Sequence, residues 1–153
     1  MREARRVTVR GLIYKNGKIF GQKLHNSSGD WWCTPGGGVD AMESLHDALT
    51  REMIEETGVK PIIGRLVFIQ QFATKGSTGH GENERLEFFF LVENASDYEE
   101  INLESTSHGN LEIAEYGFID PADKNILPTI LQTPEITSAL EKHKPVIFYT
   151  MLD

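Results

Sequence analysis

The chain has 153 residues, 39% of them apolar, with a formal net charge of −8 and a pI near 5.1. That length buries one core without disulfides or a structural metal, so a single domain over residues 1–153 is expected, and the acidity argues against a surface that neutralises long nucleic acid. Cys33 is the sole cysteine, no run approaches the roughly 18 apolar residues of a membrane span, and the opening MREARRVTVRGLIY lacks the apolar core of a signal peptide, so a cytoplasmic chain without a membrane partner is expected.

Residues 7–24, VTVRGLIYKNGKIFGQKL, read as two extended runs joined at Asn16-Gly17, a pair suited to a tight hairpin turn. A polar loop, HNSSGDWW, leads into TPGGGVD, where Gly36, Gly37 and Gly38 predict a tight turn whose bare backbone can approach an ion or phosphate. Of the adjacent tryptophans Trp31 and Trp32, one is expected in the core and the other on a substrate base, with Trp32 the substrate-binding candidate. From Glu43 or Ser44 to Thr57 the chain has good helix formers and neither Gly nor Pro, and Gly58 supplies the stop.

PIIGRLVFIQQFATK and RLEFFFLVENA predict strands joined by the polar loop GSTGHGENE, and strand alternation puts Phe89 opposite Phe88 and Phe90. LEIAEYGFID is a further extended run. TPEITSALEKHK predicts a last helix with Thr133 as its cap and Pro134 in its first turn, followed by the apolar run PVIFYTML. Strands and helices without repeat or linker predict one mixed α/β domain.

The central helix carries the chemistry. Glu52, Glu55 and Glu56 stand at i, i+3 and i+4 and share one face, in the same angular sector as Leu45, Ala48 and Leu49. Carboxylates in that sector are costly to bury without a balancing positive charge, and Arg51 alone cannot offset all of them. Mg²⁺, with Mn²⁺ as a substitute, can do so, because hard cations take carboxylate oxygens and keep waters that a phosphate displaces. No Cys/His cluster has zinc spacing, and His46 lies off the carboxylate face. The glycine turn feeding an acidic helix therefore predicts a pocket for a metal-bound diphosphate, and without a following Gly-Lys-Ser/Thr it is not a P-loop.

From Gly37, five residues lead to Glu43 and seven more to Arg51; Glu52, Met53, Ile54, Glu55, Glu56, Thr57, Gly58 and Val59 follow. This spacing resembles the Nudix box, Gly-x5-Glu-x7-Arg-Glu-U-x-Glu-Glu-x-Gly-U with U apolar, at every defined position over residues 37–59. The resemblance implies the Nudix α/β/α sandwich, a mixed β-sheet between helices, and Mg²⁺- or Mn²⁺-dependent hydrolysis of a nucleoside diphosphate linked to another moiety. It implies Glu52, Glu55 and Glu56 as metal ligands, with the Gly36 carbonyl as a further one. Glu43 and Arg51 become the pair that fixes loop and helix, and Glu52 or Glu55 the acceptor of a proton from the attacking water.

Gly36, Gly37, Gly38 and Trp32 stand as substrate-binding candidates. Subfamilies place the base differently, sometimes beyond the box, which makes Glu82, Glu84, Glu112 and Glu115 candidates whose default reading is solvated surface charge. His80, flanked by glycines, is the histidine nearest the expected site. The proline of the family's ADP-ribose hydrolases, the tyrosine of its dinucleoside polyphosphate hydrolases and the late asparagine of its oxidised-guanine triphosphate hydrolases have no counterpart at the matching places. The substrate reading therefore stops at a nucleotide or nucleotide-sugar diphosphate. Retention of every box glutamate favours an enzyme over a nucleotide-binding sensor domain without turnover, the acidic charge disfavours RNA decapping, and a homodimer follows by family analogy only.

Overall fold

The computed structural model describes residues 5–25, 31–75 and 82–152. In chain order the elements are β1 (Arg6–Leu12), β2 (Tyr14–Lys15), β3 (Lys18–Leu24), β4 (Trp31–Cys33), β5 (Gly36–Gly38), α1 (Leu45–Thr57), β6 (Ile63–Lys75) and β7 (Glu82–Val92). A one-turn α2 (Gly109–Glu112), β8 (Ile113–Ile119), β9 (Asn125–Leu127), α3 (Pro134–Glu141) and β10 (Ile147–Thr150) complete them. The mixed α/β class holds, with the strands divided between two five-stranded sheets: β10-β6-β7-β1-β5, and β2-β3-β4-β9 with β8 joined to β3. Among the described residues no helix is long and apolar enough to cross a membrane.

The Asn16-Gly17 turn forms with both residues at positive φ, 51° and 78°, the geometry whose twist matches flanking antiparallel strands. Its first run, however, does not stay in one sheet. β1 pairs with β5 and β7 in the first sheet, whereas β2, two residues long, pairs with β3 in the second. The step falls between Leu12 and Ile13, both fully buried but in different cores.

One core lies between the two sheets and α3, with Trp32, Phe68, Phe89, Ile119, Ile136 and Leu140 among its members. The other holds α1 against the opposite face of the first sheet through Ala48, Leu49 and Met53, which meet Val9, Phe20, Phe90 and Val92. Alternation along β7 serves both: Phe89 stacks on Phe68 at 4.0 Å in the first core, while Phe88 and Phe90 turn to the second. β7 starts at Glu82, inside the segment expected as a loop, and takes Glu84 into the ladder opposite Ala73.

α1 is delimited as its sequence predicts. Ser44 Oγ accepts from the Asp47 N–H at 3.0 Å, and Gly58, in the left-handed region, donates its N–H to Ile54 O at 2.9 Å. α3 likewise starts at Pro134 with Thr133 at its N-cap as expected, although Thr133 Oγ1 donates to Ile130 O and makes no capping hydrogen bond to the helix. The exit of α1 is tied down by Tyr98, which is fully buried, meets Phe20 edge-on at 5.8 Å and donates its hydroxyl to Val59 O at 3.1 Å. Tyr98→Phe removes that donor and keeps the packing, so it should cost about 1 kcal/mol and lower Tm by about 2–4 °C, read by thermal melting.

Candidate active site on the acidic helix face

β5 lies antiparallel to β1 with Arg10 opposite Gly36, Val9 opposite Gly37 and Thr8 opposite Gly38. This corrects the expected tight turn: Gly36, Gly37 and Gly38 form an edge strand, and the chain reverses after it, at Asp40–Glu43, where Glu43 N–H donates to Asp40 O at 3.1 Å and Met42 takes φ 66°. The glycines are needed for close approach. A side chain on Gly36, whose φ is 145°, would overlap the Val9 carbonyl oxygen. A Cβ on Gly37 would fall 2.5 Å from Glu52 Cδ, so the Glu52 carboxylate lies directly over this backbone.

Arg51 organises the face. Its Nε and Nη2 donate to the two oxygens of Glu43 at 2.9 Å each, Nη2 also donates to Gly38 O at 3.0 Å, and Nη1 donates to Glu52 Oε1 at 2.9 Å. Glu55 and Asp40 each stand 3.7 Å away. One planar guanidinium thus joins helix, reversing loop and strand, which a lysine cannot do. Hydrogen bonds from Arg51, then from Asp40 N–H, hold the Glu43 carboxyl down at about 2 against an ordinary 4.5.

A depressed carboxyl stabilises the folded chain above its unfolded value and loses that contribution as pH falls through the folded one. Glu43→Gln should therefore lower Tm at about pH 6, and the gap to the wild type should close as pH falls toward about 2. A gap that persists unchanged across a pH series of melts would contradict the pairing.

Glu52 and Glu55 are half-buried and Glu56 is buried. Gln22 Nε2 and Gly36 N–H both donate to Glu56 Oε2, at 3.0 and 3.2 Å. Burial nevertheless pushes Glu56 up to about 7, against those hydrogen bonds and the attraction of Arg10. Glu55 also faces His108, whose Nδ1 lies 3.2 Å from Oε2 and whose backbone N–H donates to Glu55 O at 3.0 Å.

The donors gathered here are carboxylates and the Gly36 carbonyl, a hard-oxygen set suited to Mg²⁺ or Mn²⁺ and not to zinc. As the side chains stand, Glu52 and Glu55 turn to Arg51 and Glu56 to Gln22. Among the described residues no three acidic, histidine or cysteine side chains converge on a common metal position.

Beside this face a cavity of about 430 Å³ opens between the sheets, lined by Arg10, Thr34, Gln70, Phe72, Arg85, Glu87, Phe89, Leu127 and Pro128 among others. Arg10 links the two regions. Its Nη1 donates to Thr34 O and Gly36 O at 3.2 and 3.3 Å, and its Nε donates to Glu87 at 3.1 Å. Glu87, only 5% exposed, also accepts from Thr8 Oγ1 and Gln70 Nε2, at 2.8 Å each.

Sequence reasoning missed Arg10, Glu87 and His108. The signal for the first two was the polar alternation Arg6, Thr8, Arg10 along β1 and Arg85, Glu87 along β7.

Other candidates fall elsewhere. Trp32, only 4% exposed, packs in the core between the sheets, which corrects its assignment as a stacking surface; Trp31 is the exposed partner. Glu84 pairs with Arg5 at 2.9 Å and accepts from Gln71. Glu115 faces Lys23 at 4.0 Å, and Glu112 is exposed at the end of α2. His80 and the Glu82 side chain lie outside the described residues. His46, off the acidic face as expected, meets Phe90 edge-on.

The NUDIX domain profile matches residues 4–137. The RNA pyrophosphohydrolase of Caulobacter vibrioides is 26% identical over 126 residues, 76% of this chain and 73% of that protein. A 49-residue stretch is 43% identical to the RNA pyrophosphohydrolase of Novosphingobium aromaticivorans, covering 31% of this chain and 30% of that protein's length. A crystal structure of a UDP-X diphosphatase superposes with a TM-score of 0.66 at 20% identity, over 97% of this chain and 68% of the other, and shares the fold. With the complete box running from β5 through α1 to Val59 and the profile matching residues 4–137, the protein belongs to the Nudix, or MutT-like, hydrolase family.

Proposed function

We propose that the chain is a divalent-metal-dependent pyrophosphohydrolase that splits the diphosphate of a nucleoside diphosphate bearing a second moiety. The observation that carries this reading is Arg10, which lines a cavity of nucleoside size and donates to the carbonyl of Gly36, whose N–H is held by Glu56 of the acidic helix face. Glu52, Glu55, Glu56 and the Gly36 carbonyl would hold Mg²⁺ or Mn²⁺. When bound, the cation neutralises diphosphate charge and lowers the pKa of a water.

The chain's own residues do the rest. Arg51, gripped by Glu43, holds α1 against β5 and orients the Glu52 carboxylate over Gly37, from where it accepts the proton of the attacking water. The bare Gly37 backbone leaves room for that carboxylate and for a phosphate beside it.

The relatives named RNA pyrophosphohydrolase support adding a second substrate form, an RNA that carries a diphosphate linkage, to the test. Product analysis with Mg²⁺ or Mn²⁺ should cover nucleotide sugars, ADP-ribose, dinucleoside polyphosphates, nucleoside triphosphates and a short 5′-triphosphorylated RNA. Cleavage of one class, abolished by a chelator, is the expected result. Tight binding of one class without turnover would replace the enzyme by a nucleotide-binding sensor.

A further inference from the structure

The strand register sets the cavity face of the first sheet in rows. Arg6, Arg85 and Phe72 form one row, Thr8, Glu87 and Gln70 the next, and Arg10, Phe89 and Phe68 the third. Arginine thus recurs on this face in a chain whose formal net charge is −8. Among the described residues Glu87 is the only acid in the cavity wall, and its oxygens already accept from Thr8, Arg10 and Gln70.

The cations are not all answered. Arg10 gives Nε to Glu87 and Nη1 to two backbone carbonyls, which leaves Nη2 without a partner among the described residues yet open to solvent. Arg85 has neither an ion pair nor a side-chain hydrogen bond among the described residues. Its Nε is sealed from solvent, so its two Nη nitrogens are what it can present to the cavity it lines. Arg6, also without a carboxylate partner among the described residues, is exposed, and its Nη2 lies 3.5 Å from where a Cβ on Gly38 would stand. Burial and then Arg6 lower the Arg85 pKa from its ordinary value, while Glu87 pulls the other way and Arg10 adds to the repulsion. A partly buried cation whose neighbours repel it is stabilised by an anion that enters beside it. The apolar walls, Phe72, Phe89, Leu127 and Pro128, strengthen that attraction by keeping water away.

We propose that the cavity takes an anionic group of the substrate, a phosphate additional to the diphosphate that is split, held by Arg85 and Arg10 with Arg6 at its edge. The inference rests on the reading of the acidic helix face as the diphosphate site. An uncharged sugar leaves these cations as they are. A phosphate on the ribose, as the first internucleotide linkage of an RNA provides, or a longer phosphate chain answers them, and charge-assisted bonds of this kind raise affinity by about 10- to 100-fold.

The test is calorimetric binding of ADP, ATP and adenosine 3′-phosphate 5′-diphosphate to the full chain with Mg²⁺, for the wild type, Arg85→Gln and Arg6→Gln, with products assayed on the same samples. The last two ligands carry the same number of phosphates, one in line and one on the ribose, so each serves as the charge control for the other. The expected result is that one of them binds the wild type about 10- to 100-fold more tightly than ADP, that the gain falls to about 3-fold or less in Arg85→Gln, and that it falls part of the way in Arg6→Gln. The ligand that shows the gain tells whether the phosphate sits on the ribose or in the chain. Arg85→Gln should melt no lower than the wild type, because it removes a cation that its surroundings oppose. A wild type that binds all three ligands alike overturns the inference, and so does a gain that survives in Arg85→Gln. Should Arg85→Gln not fold, an Arg6→Gln chain that keeps the whole gain overturns it in the same way. Because binding is read directly, an inert chain that still takes the additional phosphate contradicts the hydrolase reading alone, and an active chain indifferent to that phosphate contradicts this inference alone.

Discussion

Glu52→Gln should leave the protein folded and lower kcat/KM by about 10³-fold, the scale of removing one charged group that acts at the reacting centre. The substitution preserves shape, and the Glu52 side chain is partly exposed, so little packing is lost. Arg51 keeps both oxygens of Glu43 and the Gly38 carbonyl, and these hold α1 to β5 without Glu52. What disappears is a negative charge over Gly37, and with it a proposed cation ligand and proton acceptor. Melting within about 4 °C of the wild type, together with the loss of turnover and weaker Mn²⁺ binding by titration, is the expected pair of results. Full activity in Glu52→Gln would remove this carboxylate from the reaction.

The adjacent glycines should separate stability from activity. Alanine at Gly36 puts its Cβ into the Val9 carbonyl and 2.9 Å from Arg10 Cα, both backbone atoms of the paired strand, at a φ of 145° that L side chains rarely adopt. Neither neighbour can swing aside, so β5 must shift or the ladder must open. The cost should be about 3 kcal/mol or more, equivalent to a fall in Tm of about 6–12 °C.

Alanine at Gly37 meets only the end of the Glu52 side chain, at 2.5–2.7 Å. A carboxylate can rotate away, so Gly37→Ala should melt much closer to the wild type while losing turnover much as Glu52→Gln does. Melts and turnover measured on the same preparations decide this. A Gly36→Ala chain as stable as the wild type would refute the close approach of β5 to β1.

The parts of this molecule that could be read from sequence are those whose partners are near in the chain. The box was legible because Gly37, Glu43, Arg51 and the glutamates lie within about three turns of helix and one loop of each other, and Ser44 and Gly58 mark the helix ends by local capping. The Asn16-Gly17 turn and the start of α3 at Pro134 are local in the same sense.

Three glycines read as a turn because nothing near them announces β1, their ladder partner from an earlier stretch of chain. The choice between Trp31 and Trp32 depended on which way a three-residue strand faces, which β9 decides by pairing with it from far downstream. Arg10 and Glu87 become a buried pair only when β1 lies parallel to β7, and His108 reaches Glu55 only through the packing of α2 on α1. Such contacts are tertiary, and a local pattern can place polar residues on one strand face without saying what faces them.

The step between Leu12 and Ile13 has a bearing on how the molecule comes apart. Consecutive residues are anchored in different cores, so a single peptide unit transmits any loosening of the cavity walls to the packing under the acidic helix. Neither half can melt while the other keeps its anchor, and β7, with Phe89 in one core and Phe90 in the other, adds a second such link. Unfolding should accordingly be one cooperative event, with helix signal and aromatic signal lost at the same denaturant concentration.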